Sequence, residues 1–142
     1  MRLIILPTAV GAAALLASAV VAQTLPSSRF TVTMSGEEEV APGDPDGTGT
    51  ASINITSRSG TLCYFVRVRG IEPATAAHIH EAPPGVAGPV VVPINAPTNG
   101  ASSGCVNIGR QLALEIIASP EDYYVNVHND PYPGGALRGQ LG

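Results

Sequence analysis

Three histidines are the residues of this chain whose type and spacing could do chemistry. His78 and His80 are separated by one residue, and His128 follows a second strand-like segment. Residues i and i+2 of a strand share a face about 6.5 Å apart, so two imidazoles can bind one ion at roughly 2 Å each. The pattern predicts a metal site, with isolated surface histidines as the alternative because periodicity does not fix strand order.

The donor set indicates which metal such a site would bind. Neutral imidazoles suit copper, zinc, nickel or iron, and the general affinity order favours copper over zinc. A site of three ligands leaves an open coordination position, as redox or hydrolytic chemistry requires. Glu81 or Asp130 could supply a fourth ligand, although solvated carboxylates are the reading we favour for both.

Alternating apolar residues predict the strands that must position these histidines. Ile79 alternates with His78 and His80, so a core made of Val and Ile rows places the histidines on the outer face. Several short strands with regular turn signals predict an all-β, antiparallel Greek-key β-sandwich or barrel. Loops are expected over residues 36–48 and 95–104, and a closing strand over 136–141. Leu112 and Ile116 have helical spacing, which predicts one short helix ending near Pro120.

The first 22 residues have the layout of a secretory signal peptide. Arg2 precedes an uncharged apolar run, and Val20 and Ala22 occupy the small-residue positions of a cleavage site. A retained membrane anchor is the alternative. Residues 23–29 are predicted to form a linker and residues 30–142 one domain. We expect a secreted protein, periplasmic or fully extracellular, with no membrane span after cleavage.

Composition narrows the partners and the redox compartment. The chain has a formal net charge of −4, and this acidic balance argues against a nucleic-acid-binding class. Cys63 and Cys105 are its two cysteines, and an even count in an exported chain favours one disulfide. Two buried free thiols are the alternative.

Several segments, taken in order, resemble the CHRD domain, the module named after chordin. They are Ala77-His78-Ile79-His80, the stretch 85–92, Gly104-Cys105, residues 123–128 and residues 133–141. The resemblance covers about Phe30 to Leu141. It implies an all-β domain of secreted or cell-surface proteins and matches Cys63 and Cys105 to the family's cysteine pair. It implies no established activity.

A weaker resemblance is to the β-sandwich of Cu/Zn superoxide dismutases, which leaves immunoglobulin-like and dismutase-like architectures as the expected folds. It implies that His78, His80 and His128 are copper ligands and that Arg138 steers an anion. This chain lacks a fourth histidine that could bridge copper to zinc. The leading prediction is therefore an exported CHRD protein that binds copper for copper handling or redox protection, and the sequence leaves open whether it is an enzyme. The alternatives are a non-catalytic module that contacts an extracellular protein partner, and a copper-only dismutase.

Overall fold

The computed structural model describes residues 25–142, which form one curled β-sheet and a short helix. The predicted signal peptide, residues 1–22, lies outside the described residues and stays a prediction. Helix α1 (Arg110–Ala118) and a 3₁₀ turn (Pro120–Asp122) lie between the sixth and seventh strands. The strands of this part of the chain are β1 (Ser27–Ser35), β2 (Thr48–Thr56), β3 (Thr61–Arg69), β4 (Ala74–Glu81), β5 (Val90–Ile94), β6 (Ala101–Asn107), β7 (Tyr123–Asn129) and β8 (Leu137–Gln140).

The eight strands form a single antiparallel sheet in the order β5-β4-β7-β8-β1-β2-β3-β6. The sheet curls into a nearly closed barrel, and β5 and β6 are its two edges. Because side chains alternate along a strand, one face of each strand lines the interior. The predicted apolar rows are buried there: Leu62, Val66 and Ile79 have no exposed surface. The predicted all-β antiparallel fold with one short helix is confirmed.

Helix α1 packs its apolar side against this barrel, as its sequence spacing predicts. Ala113 and Ile116 are fully buried, and Leu112 is partly buried against the same core. The helix ends at Ala118, two residues before Pro120. A proline disfavours helical backbone at the residue before it, so the predicted stop is where the helix ends.

Two boundaries differ from the sequence-based expectation by more than one residue. The segment 95–104 was expected to be a loop, but β6 begins at Ala101 and pairs with β3 from Arg67↔Ala101 to Thr61↔Asn107. Serine and glycine have low strand propensity, and backbone hydrogen bonds to β3 override it. Strand β1 begins at Ser27, inside the expected linker 23–29, because Ser27 pairs with Thr56 of β2.

The two cysteines join the edge strand to its neighbour. Cys63 of β3 and Cys105 of β6 lie directly opposite each other, with Cα atoms 4.0 Å apart, and form a disulfide. Both side chains lie on the outer face of the sheet, because Leu62 and Tyr64 on either side of Cys63 point into the core. The bridge therefore fastens β6 to the sheet without occupying core volume.

Candidate metal centre

Adjacent strands β4 and β7 carry all three histidines. Ile79 pairs with Val125 and both are fully buried, so these residues point into the barrel. His78 and His80 flank Ile79 and therefore point outward, and Ala76 pairs with His128 on the same outer face. The strand order that the sequence could not fix places the predicted histidines together.

The three imidazoles converge on one point. Nδ1 of His78 lies 3.2 Å from Nε2 of His128. One nitrogen from each histidine can be chosen so that no two are more than 4.8 Å apart. The ring centroids of His78 and His80 are 5.6 Å apart. The group can hold one ion, and neither Glu81 nor Asp130 belongs to it.

A loop carbonyl fixes the tautomer of His80. Its Nδ1 lies 2.9 Å from the carbonyl oxygen of Gly88. A carbonyl oxygen only accepts hydrogen bonds, so Nδ1 carries the proton and donates, and Nε2 keeps its lone pair. That Nε2 is buried and has no hydrogen-bond partner in the described part of the chain. The Tyr124 ring stacks on the imidazole, with 4.8 Å between the ring centroids, and restricts its orientation.

A second carbonyl has the same effect on His128. Nδ1 of His128 donates to the carbonyl oxygen of Pro133 at 3.0 Å, which leaves Nε2 free to face His78. Carbonyl partners of this kind orient metal-binding histidines and raise the basicity of the free nitrogen. The unprotonated nitrogens of His80 and His128 are therefore defined by the protein alone.

The environment favours the neutral forms of His78 and His80. Burial lowers the pKa of His78 below its ordinary value of 6.5, and the nearby His128 and His80 lower it further. Burial also lowers the pKa of His80, partly opposed by the hydrogen bond to Gly88. A metal ion binds neutral imidazole, so both shifts favour the ligand form near neutral pH.

Arg138 lies beside the centre but is enclosed. Only 2% of its surface is exposed. The guanidinium donates to the carbonyl oxygens of Val86 at 2.8 Å and Pro83 at 2.9 Å, and to Oε1 of Gln140 at 3.0 and 3.2 Å. It also lies over the Tyr124 ring, 3.5 Å from the centroid. The resemblance implied an arginine that steers anions, whereas this one fastens the β4–β5 loop over the histidines.

Glu39 is a neighbour of the centre that sequence reasoning missed. Its carboxylate accepts a hydrogen bond from Nδ2 of Asn126, the residue paired with His78 across β4 and β7. Burial raises the pKa of Glu39 to about 7, against the lowering effects of Arg138 and Asn126. Gly135, at φ +145°, makes room for it, because a Cβ there would collide with the carboxylate. The acidic stretch 37–39 predicted only a solvated loop, and the one signal for Glu39 was that residues 39–42 resemble a motif of the CHRD domain.

No helix in residues 25–142 is long and apolar enough to cross a membrane.

Comparison with known proteins identifies the family. Neither the curated proteins nor the solved structures contain a match to this chain. The family model of the CHRD domain matches residues 30–141, which is most of the chain and includes β4, β7 and β8 with the histidines and Arg138. The CHRD domain is of the extracellular type, in keeping with the disulfide between β3 and β6. The chain therefore belongs to the CHRD domain family.

Proposed function

We propose that this CHRD domain binds one copper ion through Nδ1 of His78, Nε2 of His80 and Nε2 of His128. The observation that carries the proposal is the buried Nε2 of His80, which has no partner among the described residues. Buried polar atoms are nearly always hydrogen-bonded. A lone pair kept free by the Gly88 carbonyl, in a group with two other imidazoles, is poised to bind a metal ion.

The donor set and spacing favour copper. All three ligands are imidazoles, for which copper has the highest affinity of the common divalent metals. The 3.2 Å between His78 and His128 nitrogens is close to the separation of two nitrogens that share an ion at roughly 2 Å. Zinc is the second candidate, since it also accepts three nitrogens and an open position.

We further propose that the protein works outside the cytoplasm in copper handling or redox protection. The extracellular type of the domain, the predicted signal peptide and the disulfide support an exported protein. Binding rather than catalysis is the proposed role, because the feature that the histidine group offers is a set of three donors for one ion. The open position would supply redox reactivity only to a molecule that reaches the ion.

Superoxide dismutation is not favoured, because the Arg138 donors are already engaged by the loop and by Gln140. An arginine that guides an anion must offer free donors. Copper-loaded protein is expected to consume superoxide no faster than the same concentration of free copper. Clearly faster consumption would establish the enzyme instead.

An interaction module is the second candidate, and exposed valines favour it. Val86, in the loop between β4 and β5, is 49% exposed, and Val90, at the start of β5, is 48% exposed. In that case a protein partner would remain bound in the presence of a chelator. Loss of the partner when metal is removed would contradict this alternative.

A copper titration tests the proposal. Chelator-stripped protein is titrated with copper and with zinc, desalted and analysed for retained metal. We expect one retained copper per chain, and its loss in His78→Ala, His80→Ala and His128→Ala. Glu81→Gln and Asp130→Asn are matched controls, because both carboxylates lie near the histidines in sequence but outside their group. If each single histidine variant keeps wild-type copper affinity, the shared site is wrong.

A further inference from the structure

A second polar surface lies on the outer face of β1, β2 and β3, away from the histidine strands. The strand register aligns Thr33 and Thr50 with Arg67, and it aligns Thr48 with Arg69. All five side chains are exposed. Together with Gly49 they line a depression of about 440 Å³. We call these five residues the arginine–threonine face.

Positive charge predominates on the strands of this face, although Asp44 and Asp46 lie in the loop that leads into β2. The chain has eleven carboxylate side chains and a formal net charge of −4, yet β1, β2, β3 and β6 carry no aspartate or glutamate. Arg67 and Arg69 are two residues apart on one strand, so their side chains project from the same face about 6.5 Å apart. An acidic protein thus presents a local basic surface that suits an anionic ligand.

The surroundings of the two arginines indicate the kind of anion. Guanidinium groups bind carboxylates through two parallel hydrogen bonds, and the adjacent threonine hydroxyls can donate to or accept from hydroxyl groups. Phe65 is 42% exposed beside them, with the Arg67 guanidinium 5.0 Å from its ring centroid. Its ring offers an apolar surface for C–H groups. Carboxylates, many hydroxyls and C–H surfaces occur together in acidic sugars.

We propose that the arginine–threonine face binds a carboxylate-bearing polysaccharide, such as a polymer of uronic acids. The face is a run of three strands about 10 Å wide, so it matches an extended chain rather than a small enclosed ligand. The binding does not depend on the histidine centre, which lies on β4 and β7. The two sites together would hold a copper-binding domain at an acidic polysaccharide matrix.

Binding of polygalacturonate to the purified protein tests this proposal, with neutral dextran as the polymer control and chelator present so that metal cannot bridge. We expect Arg67→Gln/Arg69→Gln to weaken binding at least about tenfold, since each arginine supplies charge-assisted hydrogen bonds. Arg58→Gln/Arg110→Gln is the matched control. It removes the same charge from the β2–β3 turn and from α1, and is expected to leave binding unchanged.

A second variant distinguishes binding by the specific side chains of the arginine–threonine face from binding by overall positive charge. Thr33→Val/Thr50→Val keeps shape and β-branching but removes two hydroxyls, and is expected to weaken binding about threefold or more. Thermal melting verifies that each variant is folded. Four outcomes would each overturn the proposal. The two arginine double variants could lose binding equally, or the threonine variant could bind as the wild type does. Sulfated dextran could bind as tightly as polygalacturonate, or the wild type could fail to bind at all.

Discussion

Replacement of Arg138 by methionine distinguishes a structural arginine from one that steers anions. Methionine keeps most of the side-chain length but removes the charge and every donor. The carbonyl oxygens of Pro83 and Val86 then lose their guanidinium donors, and the Tyr124 ring loses the cation above it. The loop between β4 and β5 is thereby released at two points close to Gly88.

The expected loss follows from those contacts. A hydrogen bond to a charged group contributes about 1.5–3 kcal/mol, and a desolvated cation–π contact about 2 kcal/mol. The cost of burying the guanidinium offsets part of this sum, so we expect Arg138→Met to lower the free energy of unfolding by about 3–5 kcal/mol. Domains of this kind are stable by about 5–15 kcal/mol, and a loss of this size is readily measured.

Copper affinity is expected to fall as well. The Gly88 carbonyl that orients His80 belongs to the released loop, and loss of such supporting contacts typically costs 10–100-fold in metal affinity. Arg138→Lys is expected to be intermediate, since one ammonium cannot reach both carbonyls and Gln140. The control is Arg110→Met, which removes an exposed arginine at the start of α1.

Urea unfolding of the metal-free variants and competitive copper titration provide both measurements. If Arg138→Met unfolds within about 0.5 kcal/mol of the wild type and keeps its copper affinity, the contacts described for Arg138 do not hold the loop. The anion-steering role implied by the dismutase resemblance would then be restored. A fall in stability with unchanged copper affinity would show that the loop does not govern His80.

Three further predictions concern pH and the disulfide. The pKa of Glu39 is raised from 4.5 to about 7, so its contribution to stability is full below pH 4.5 and is lost as the pH rises through 7. Glu39→Gln is expected to abolish this loss and to be about 1–2 kcal/mol more stable than the wild type at pH 8, after allowance for partial exposure. Equal urea unfolding curves of the two proteins at pH 8 would contradict this prediction. Because the pKa values of His78 and His80 are lowered, copper should remain bound below pH 6.5 and dissociate only as the pH falls through those lowered values. A competition assay at several pH values measures the release. Copper release centred at or above pH 6.5 would count against the burial of the two histidines. Finally, Cys63→Ala/Cys105→Ala removes a disulfide that spans 42 residues and should lower the free energy of unfolding by up to about 4 kcal/mol. Copper affinity should stay unchanged, because the disulfide joins β3 to β6 and the histidines lie on β4 and β7. A parallel loss of copper binding would show that the two regions are coupled.

Alternation of apolar and polar residues was enough to predict which face of each strand lies in the core, but not which strands are adjacent. The positions of Ile79 and Val125 between polar residues indicated which side of β4 and β7 lies in the core. The outward direction of the histidine side chains was inferred from that. Whether β4 and β7 are adjacent depends on the strand order of the whole sheet, which arises from long-range pairing. Strand β6 was missed for a related reason, because its serines and glycine form a strand only when β3 is beside them.

The surroundings of the histidines were beyond sequence reasoning because they are built largely from backbone atoms. The carbonyl oxygens of Gly88 and Pro133 set the tautomers of His80 and His128, and every residue type has such an oxygen. What the sequence does specify is that Gly88 has no side chain, and a Cβ there would collide with the backbone of Glu81. A glycine at this position allows the loop to approach β4 closely enough for its carbonyl oxygen to accept a hydrogen bond from Nδ1 of His80. The chemistry of the centre therefore depends on backbone atoms of loop residues. Arg138, to which the dismutase resemblance gives an anion-steering role, holds one of these loops in place.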